Sequence, residues 1–254
     1  MTSRPPSYYH VFDALKQPGC PFCRLLTRDA HAFIDSLLYE YSMDRGVQQR
    51  FQAMRGLCNV HSWQMTTLHG RSSNVAVLQE VVIKALLGVL DDAPDLSDDS
   101  RAAGRGFLGG LGGSAKDRAG EQLAARLDAR EPCACCQTLD EKEADYVEVF
   151  VGHCIPAADG ANDPADEHAF TAAYRQSDGF CLPHMRQVLR RTTDRAQVRL
   201  IVAVQRAIWS GLNAELETFR LRSGAVGDAR DSWRRAIANL TGEQAVFSAD
   251  RNRS

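Results

Sequence analysis

Nowhere in this 254-residue chain do polar and apolar side chains alternate for long enough to suggest a sheet. Charge of one sign is also missing. Thirty basic residues face 32 acidic ones, a formal net charge of −2, so nothing global points to nucleic acid or to an anionic membrane. Only four of the thirty basic residues are lysines, a bias expected from codon usage rather than from function. The opening stretch MTSRPPSYYHVFDAL lacks the apolar core of a secretory signal. The most apolar run, VAVLQEVVIKALLGVL at 75–90, is interrupted by Gln79, Glu80 and Lys84 and is short for a bilayer span. It is expected to be a buried helix, and the chain to be cytoplasmic. No glycine-rich phosphate loop follows a strand; GRGFLGGLGG at 104–113 reads as flexible chain.

Eight cysteines are present, and in a reducing compartment they point to metal or redox chemistry before disulfides. Six of them fall in a repeated pattern. GLCNVHSWQM at 56–65 and GFCLPHMRQV at 179–188 share the skeleton Gly-apolar-Cys-x-x-His-x-x-Gln-apolar. Upstream of each lies a Cys-x-x-Cys step, Cys20/Cys23 in GCPFCRLL and Cys133/Cys136 in PCACCQTL. Phe51 and Tyr174 each precede the third cysteine by seven residues. The pattern reads as an internal duplication.

The segments between the motifs have helical periodicity. Leu26, Ala30, Phe33, Leu37 and Tyr41 form one stripe, SMDRG breaks it, and VQQRFQAMR continues as a shorter helix. Leu139, Tyr146, Val147 and Phe150 begin the corresponding helix of the second half. Its insert is 44 residues against 34, the surplus matching the Pro/Gly/Asp loop at 155–166. Each Cys-x-x-His is followed by a short helix and then a long one, carrying Val75, Leu78, Val82, Leu86 and Val89 in the first half. In the second half the long helix carries Val198, Ile201, Ile208, Leu212, Leu216 and Phe219. The expected fold is all-α, with a first helical repeat at 1–90, a flexible linker at 91–120, a second repeat at 121–222, and a C-terminal helix and tail at 223–254. In that last helix Asp231 or Ser232 is the cap, Gly242 the stop, and Trp233, Ile237 and Leu240 the inward face.

Three thiolates and one imidazole make a ligand set suited to tetrahedral Zn²⁺. The spacing predicts two ions per chain, one held by Cys20, Cys23, Cys58 and His61 and the other by Cys133, Cys136, Cys181 and His184. Each site would lie between helix N-termini, where the helix dipole favours thiolates. An iron–sulfur cluster and redox thiols are the alternatives. Cys135 aligns with Phe22 and reads as a core residue, although CACC also offers exchange between Cys135 and Cys136; Cys154 has no counterpart. His10, His31, His69, His153 and His168 lie outside the motifs and read as surface or helix-face residues; Glu40 and Glu148, which follow their Cys-x-x-Cys pairs at similar distances, offer acid/base groups or outer ligands, but with no second catalytic group to join them they read as solvated or capping residues. Arg186, Arg190, Arg191, Arg195 and Arg199 form a basic run, either a solvated helix face or a site for an anion or acidic partner.

CPFCRLL, SLLYEY, GLCNVHSWQ, GFCLPHMRQVL and DSWRRAI together resemble the landmarks of an uncharacterised bacterial family classed as a domain of unknown function. Names borrowed from ABC-transporter components occur among such proteins, but this chain has no ATP-binding motif or lipidation cysteine to match. The resemblance implies a helical fold and the paired Cys/His motifs, and it brings no activity with it. The reading is therefore a metal-stabilised interaction or regulatory module with a protein partner. A thiol-redox or metal-handling protein is the alternative, and an enzyme with a site between the two halves the third.

Overall fold

In a computed structural model, residues 4–92, 115–153, 164–221 and 228–246 are described. They form eleven α-helices and no strand. Residues 155–163 of the loop expected at 155–166, Cys154 and most of the stretch assigned to the linker lie outside the described residues; 164–166 begin a helix.

The helices follow the motifs. Pro6–Leu15 is α1, with proline at the first helical position, where its missing N–H costs nothing. Pro21–Tyr39 is α2 and starts inside the first Cys-x-x-Cys. Arg45–Ala53 is α3, capped by Asp44, whose carboxylate accepts from the Val47 N–H at 2.8 Å. Asn59–Met65 is α4 and Ser72–Asp91 is α5. Ala115–Leu127 is α6 and begins inside the expected linker. Then come α7 (Ala134–His153), α8 (Pro164–Gln176), α9 (Leu182–Arg191), α10 (Arg195–Leu221) and α11 (Ser232–Thr241). A Cys-x-x-Cys helix, a second helix, a short Cys-x-x-His helix and a long helix recur in the same order, once as α2–α5 and once as α7–α10.

By its contacts the chain divides at 33/34 and 134/135. One compact unit is residues 1–33 with 135–254, the other residues 34–134. The sequence boundaries at 90/91, 120/121 and 222/223 follow the linker and the repeat, whereas this division cuts α2 and α7.

In the larger unit, Phe22, Phe150, Phe170, Tyr174 and Phe180 are fully buried. Phe150 meets Phe180 edge-on at 4.8 Å between ring centres and Tyr174 at 5.0 Å, and Phe22 lies 4.9 Å from Phe180. Such pairs contribute about 0.5–1.5 kcal/mol each beyond their burial. Beside this cluster Asp29 is buried. It accepts from the Tyr146 hydroxyl at 2.5 Å and from Arg28 at 2.8 Å, with Lys142 at 3.5 Å. Burial, and then the Asp29 carboxylate, push the Tyr146 hydroxyl above its ordinary pKa.

In the smaller unit, Phe51, Met54, Leu57, Met65, Leu78 and Val82 form the core. The chain leaves α3 through Arg55 and Gly56, at φ 56° and 90°, a left-handed pair that lets the Gly56 N–H return to the Phe51 carbonyl at 2.9 Å.

Two expectations for apolar faces do not hold. α5 is not a buried helix: Leu78 and Val82 point inward, while Ile83 and Leu87 are 54% and 51% exposed. Of the described helices it is the one long and apolar enough to cross a membrane by length and composition. In α11, Trp233, Ile237 and Leu240 face outward, and the buried residue is Ser232. The inward face is polar because polar groups on or beside α10 need partners there. The Trp209 indole N–H donates to Asn239 at 3.2 Å, and Arg235 pairs with Glu215. Gly242 does end α11, at φ 86°.

Candidate metal centres

All four motif arms straddle a helix start. Cys58 and Cys181 occupy the N-cap positions of α4 and α9, and His61 and His184 sit in the first turns. Cys20 and Cys133 each stand immediately before a helix, with Cys23 and Cys136 in its first turn. A three-residue step across an N-terminus puts both side chains on one side of the turn. The free N–H groups there favour negative sulfur.

The eight residues form two groups of four, in each of which the ligand atoms lie within 4.8 Å of one another. Their partition differs from the one expected. Cys20 and Cys23 join Cys181 and His184; Cys58 and His61 join Cys133 and Cys136. Helix lengths give the reason. α2 has 19 residues and α3 has 9, so at about 1.5 Å per residue the return stroke falls roughly 15 Å short of Cys23. α7 with 20 residues and α8 with 13 leave a shortfall of about 10 Å by the same rule. Each Cys-x-x-His thus stops short of the Cys-x-x-Cys of its own repeat and meets that of the other repeat.

The first group is closed. Cys23 and His184 are 0% exposed, Cys181 1% and Cys20 8%. His184 Nδ1 lies 3.1 Å from Cys181 Sγ, 3.3 Å from Cys20 Sγ and 3.4 Å from Cys23 Sγ, and Cys23 Sγ lies 3.7 Å from Cys181 Sγ. A tetrahedron with Zn–S near 2.3 Å and Zn–N near 2.0–2.1 Å has S···S edges of about 3.8 Å and S···N edges of about 3.5 Å. These four edges are shorter than the ideal ones by about 0.1–0.4 Å and the other two lie within 4.8 Å, so the four atoms fit around one tetrahedral ion. The other imidazole nitrogen, Nε2, sits 2.9 Å from the Glu143 carboxylate, and Glu143 also accepts from the Gln187 amide at 2.9 Å. A carboxylate behind a ligating histidine fixes its tautomer and raises its basicity. Phe22 closes the ring's side with an edge-on contact at 5.5 Å.

The four side chains differ in their affinity for protons. Burial alone would raise the Cys20 pKa, but hydrogen bonds from Cys181 and Cys23 and the charge of His184 hold it well below the thiol range. Hydrogen bonds to its neighbouring sulfurs, with burial, raise Cys23 and, led by the bond to Cys20, also Cys181. Burial opposes charge on His184, yet the Cys20 thiolate and bonds to Cys181, Cys20 and Glu143 keep its pKa well above the usual value.

The second group is more open. His61 is buried, while Cys58, Cys133 and Cys136 are half-buried. His61 Nδ1 lies 3.3 Å from Cys58 Sγ and 3.6 Å from Cys133 Sγ. Either group can hold a metal ion.

The chain belongs to DUF6062, a family of unknown function, which it matches over residues 9–246. No curated protein and no solved structure matches it. The DUF6062 match spans both groups of ligands.

Cys135 is fully buried, as is Phe22, the residue it aligns with. Glu40, Glu148, His10 and His69 are exposed, and so are Arg186, Arg190, Arg191, Arg195 and Arg199. Glu143 escaped the sequence reading. Its signal was available, since it lies seven residues after Cys136 on the face that carries Leu139, Tyr146 and Phe150. A charged residue in a buried stripe is seldom there without a partner.

Proposed function

We propose that both groups hold Zn²⁺ as a structural ion, and that the protein is a metal-stabilised helical module for interaction or regulation. One observation carries this reading: a buried imidazole turns Nδ1 toward three sulfurs and Nε2 toward the Glu143 carboxylate. Four protein ligands leave a tetrahedral ion no open position, so the ion braces the helices rather than activating water. The ligands come from segments more than 150 residues apart in the first group, so binding energy is folding energy. A reducing cytoplasm, where thiols remain available to the ion, suits such a centre. The exposed apolar residues of α5, Ile83, Leu87 and Leu90, support a protein partner, and the exposed arginines of α9 and α10 an anionic one.

The test is metal analysis with an absorbance spectrum on protein purified without oxygen. Two zinc ions per chain and no visible absorbance are expected. Visible absorbance with iron replaces zinc by a cluster, and a stoichiometry near zero ends the reading.

The half-buried cysteines of the second group favour a second reading, metal handling or thiol chemistry at Cys58, Cys133 and Cys136. Rapid alkylation of those three thiols in the metal-loaded protein, with Cys20, Cys23 and Cys181 protected, would move this reading ahead.

A further inference from the structure

We propose that a cavity beside the first group is the route by which a divalent cation reaches and leaves Cys20, Cys23, Cys181 and His184. The proposal rests on the reading of that group as a metal centre, and adds where the ion passes. A closed centre needs an entry path, and three of its sides are shut. Phe22 stands against the His184 ring, Glu143 lies behind Nε2, and the Glu243 backbone N–H sits 3.4 Å from Cys23 Sγ. Against another side lies a cavity of about 530 Å³ with Cys20 and Cys181 in its wall.

Size, shape and charge of this cavity suit a hydrated cation. Six waters at about 30 Å³ each occupy roughly 180 Å³, so an ion with its inner shell fits with room to turn. Small residues on facing helices keep the space open: Ala207 and Gly211 on α10, Ala238 on α11. A Cβ added at Gly211 would meet nothing within 4 Å. Asp178, Glu215, Asp231 and Glu243 line the wall against Arg24 and Arg235, a formal excess of two negative charges. Most of these groups are engaged. Arg235 pairs with Glu215 and Asp231, Arg24 donates to the Pro18 carbonyl, and Asp178 accepts from the Gly19 N–H at 2.7 Å. The Glu243 carboxylate has no hydrogen-bond or ion-pair partner among the described residues. Its Oε1 lies 3.1 Å from where a Cβ on Gly19 would be, next in sequence to Cys20. A cation entering the cavity therefore meets a carboxylate beside Cys20. As it moves in, it sheds water and displaces the thiol and Nδ1 protons to solvent.

Two variants outside the ligand set test this. Gly211→Leu fills the cavity and Glu243→Gln removes its uncommitted charge. Zinc-loaded full-length protein is mixed with excess EDTA, zinc release is followed in time, and alkylation with mass spectrometry identifies which cysteines are freed. Gly211→Leu is expected to slow the release that frees Cys20, Cys23 and Cys181 by about tenfold or more, because an ion must lose water to pass a narrowed opening. Release from Cys58, Cys133 and Cys136 should not change. Glu243→Gln is expected to slow zinc loading of the metal-free first group about 2–5-fold at low salt, with the difference fading at high salt. Ala238→Leu fills the same space and replaces Gly211→Leu if that variant melts early. Unchanged release in a cavity-filling variant that melts like wild type overturns the route while leaving the metal centre intact. No zinc on Cys20, Cys23 and Cys181 in the wild-type protein overturns both.

Discussion

Removing two cysteines at a time reveals which motifs share an ion. In the structure, Cys23 and Cys181 belong to one group and Cys58 to the other. The double variant Cys23→Ser/Cys181→Ser therefore damages one centre twice, and one ion per chain should remain. Cys23→Ser/Cys58→Ser damages each centre once, and none should remain. A site with free metal at 1,000 times its dissociation constant stabilises the fold by about 4.1 kcal/mol. Loss of one centre should thus cost about 4 kcal/mol, and loss of both about 8, if the two act independently. At about 2–4 °C per kcal/mol for a chain of this size, the melting temperature should fall by about 8–16 °C in the first double variant and about 16–32 °C in the second. Zinc per chain and a thermal melt on the two doubles and their three single variants complete the assay. If Cys23→Ser/Cys58→Ser keeps one ion while Cys23→Ser/Cys181→Ser loses both, ligands pair along the sequence and the helix-length reasoning fails. If the single variants keep two ions, the metal is held elsewhere.

Other substitutions probe the surroundings. Glu143→Gln should weaken zinc at Cys20, Cys23, Cys181 and His184 about 10–100-fold and leave the second group unchanged, measured by competition with a chelator. Tyr146→Phe takes a hydroxyl from the buried Asp29 carboxylate and should cost about 1–3 kcal/mol in chemical unfolding; a loss below about 0.5 kcal/mol would mean water or Arg28 replaces it. Gly179→Ala should cost about 1–3 kcal/mol, since φ is 70° and the new Cβ would lie 2.7 Å from both Gln205 Oε1 and Ile208 Cδ1. It would also disturb the bond from the Phe180 N–H to Gln205, and a wild-type melting curve would show that this turn relaxes freely. Leu87→Glu on the exposed face of α5 should change stability by no more than about 0.5 kcal/mol, and a larger loss would mean that the face is covered.

Period and punctuation in the sequence determined the helices. Of the expected stripe, Leu26, Ala30 and Leu37 are buried, Phe33 is half-buried and Tyr41 is exposed beyond the end of α2; Asp44 caps, Gly242 stops, and the ligand types were readable because each Cys-x-x-Cys or Cys-x-x-His step is local to one helix start. Tertiary structure decided which steps meet. A step gives the reach of two side chains across one turn, but not where a 19-residue helix and a 9-residue return will deliver the next pair. It also decided which face is wet. The apolar stripe of α11 has helical spacing, yet Asn239 and Arg235 turn inward because Trp209 and Glu215 wait there, and those partners sit more than 15 residues away. Glu143 belongs to the same class. Its place on α7 is set by local spacing, but its role depends on His184, 41 residues on in the chain, and only folding brings the two within 2.9 Å.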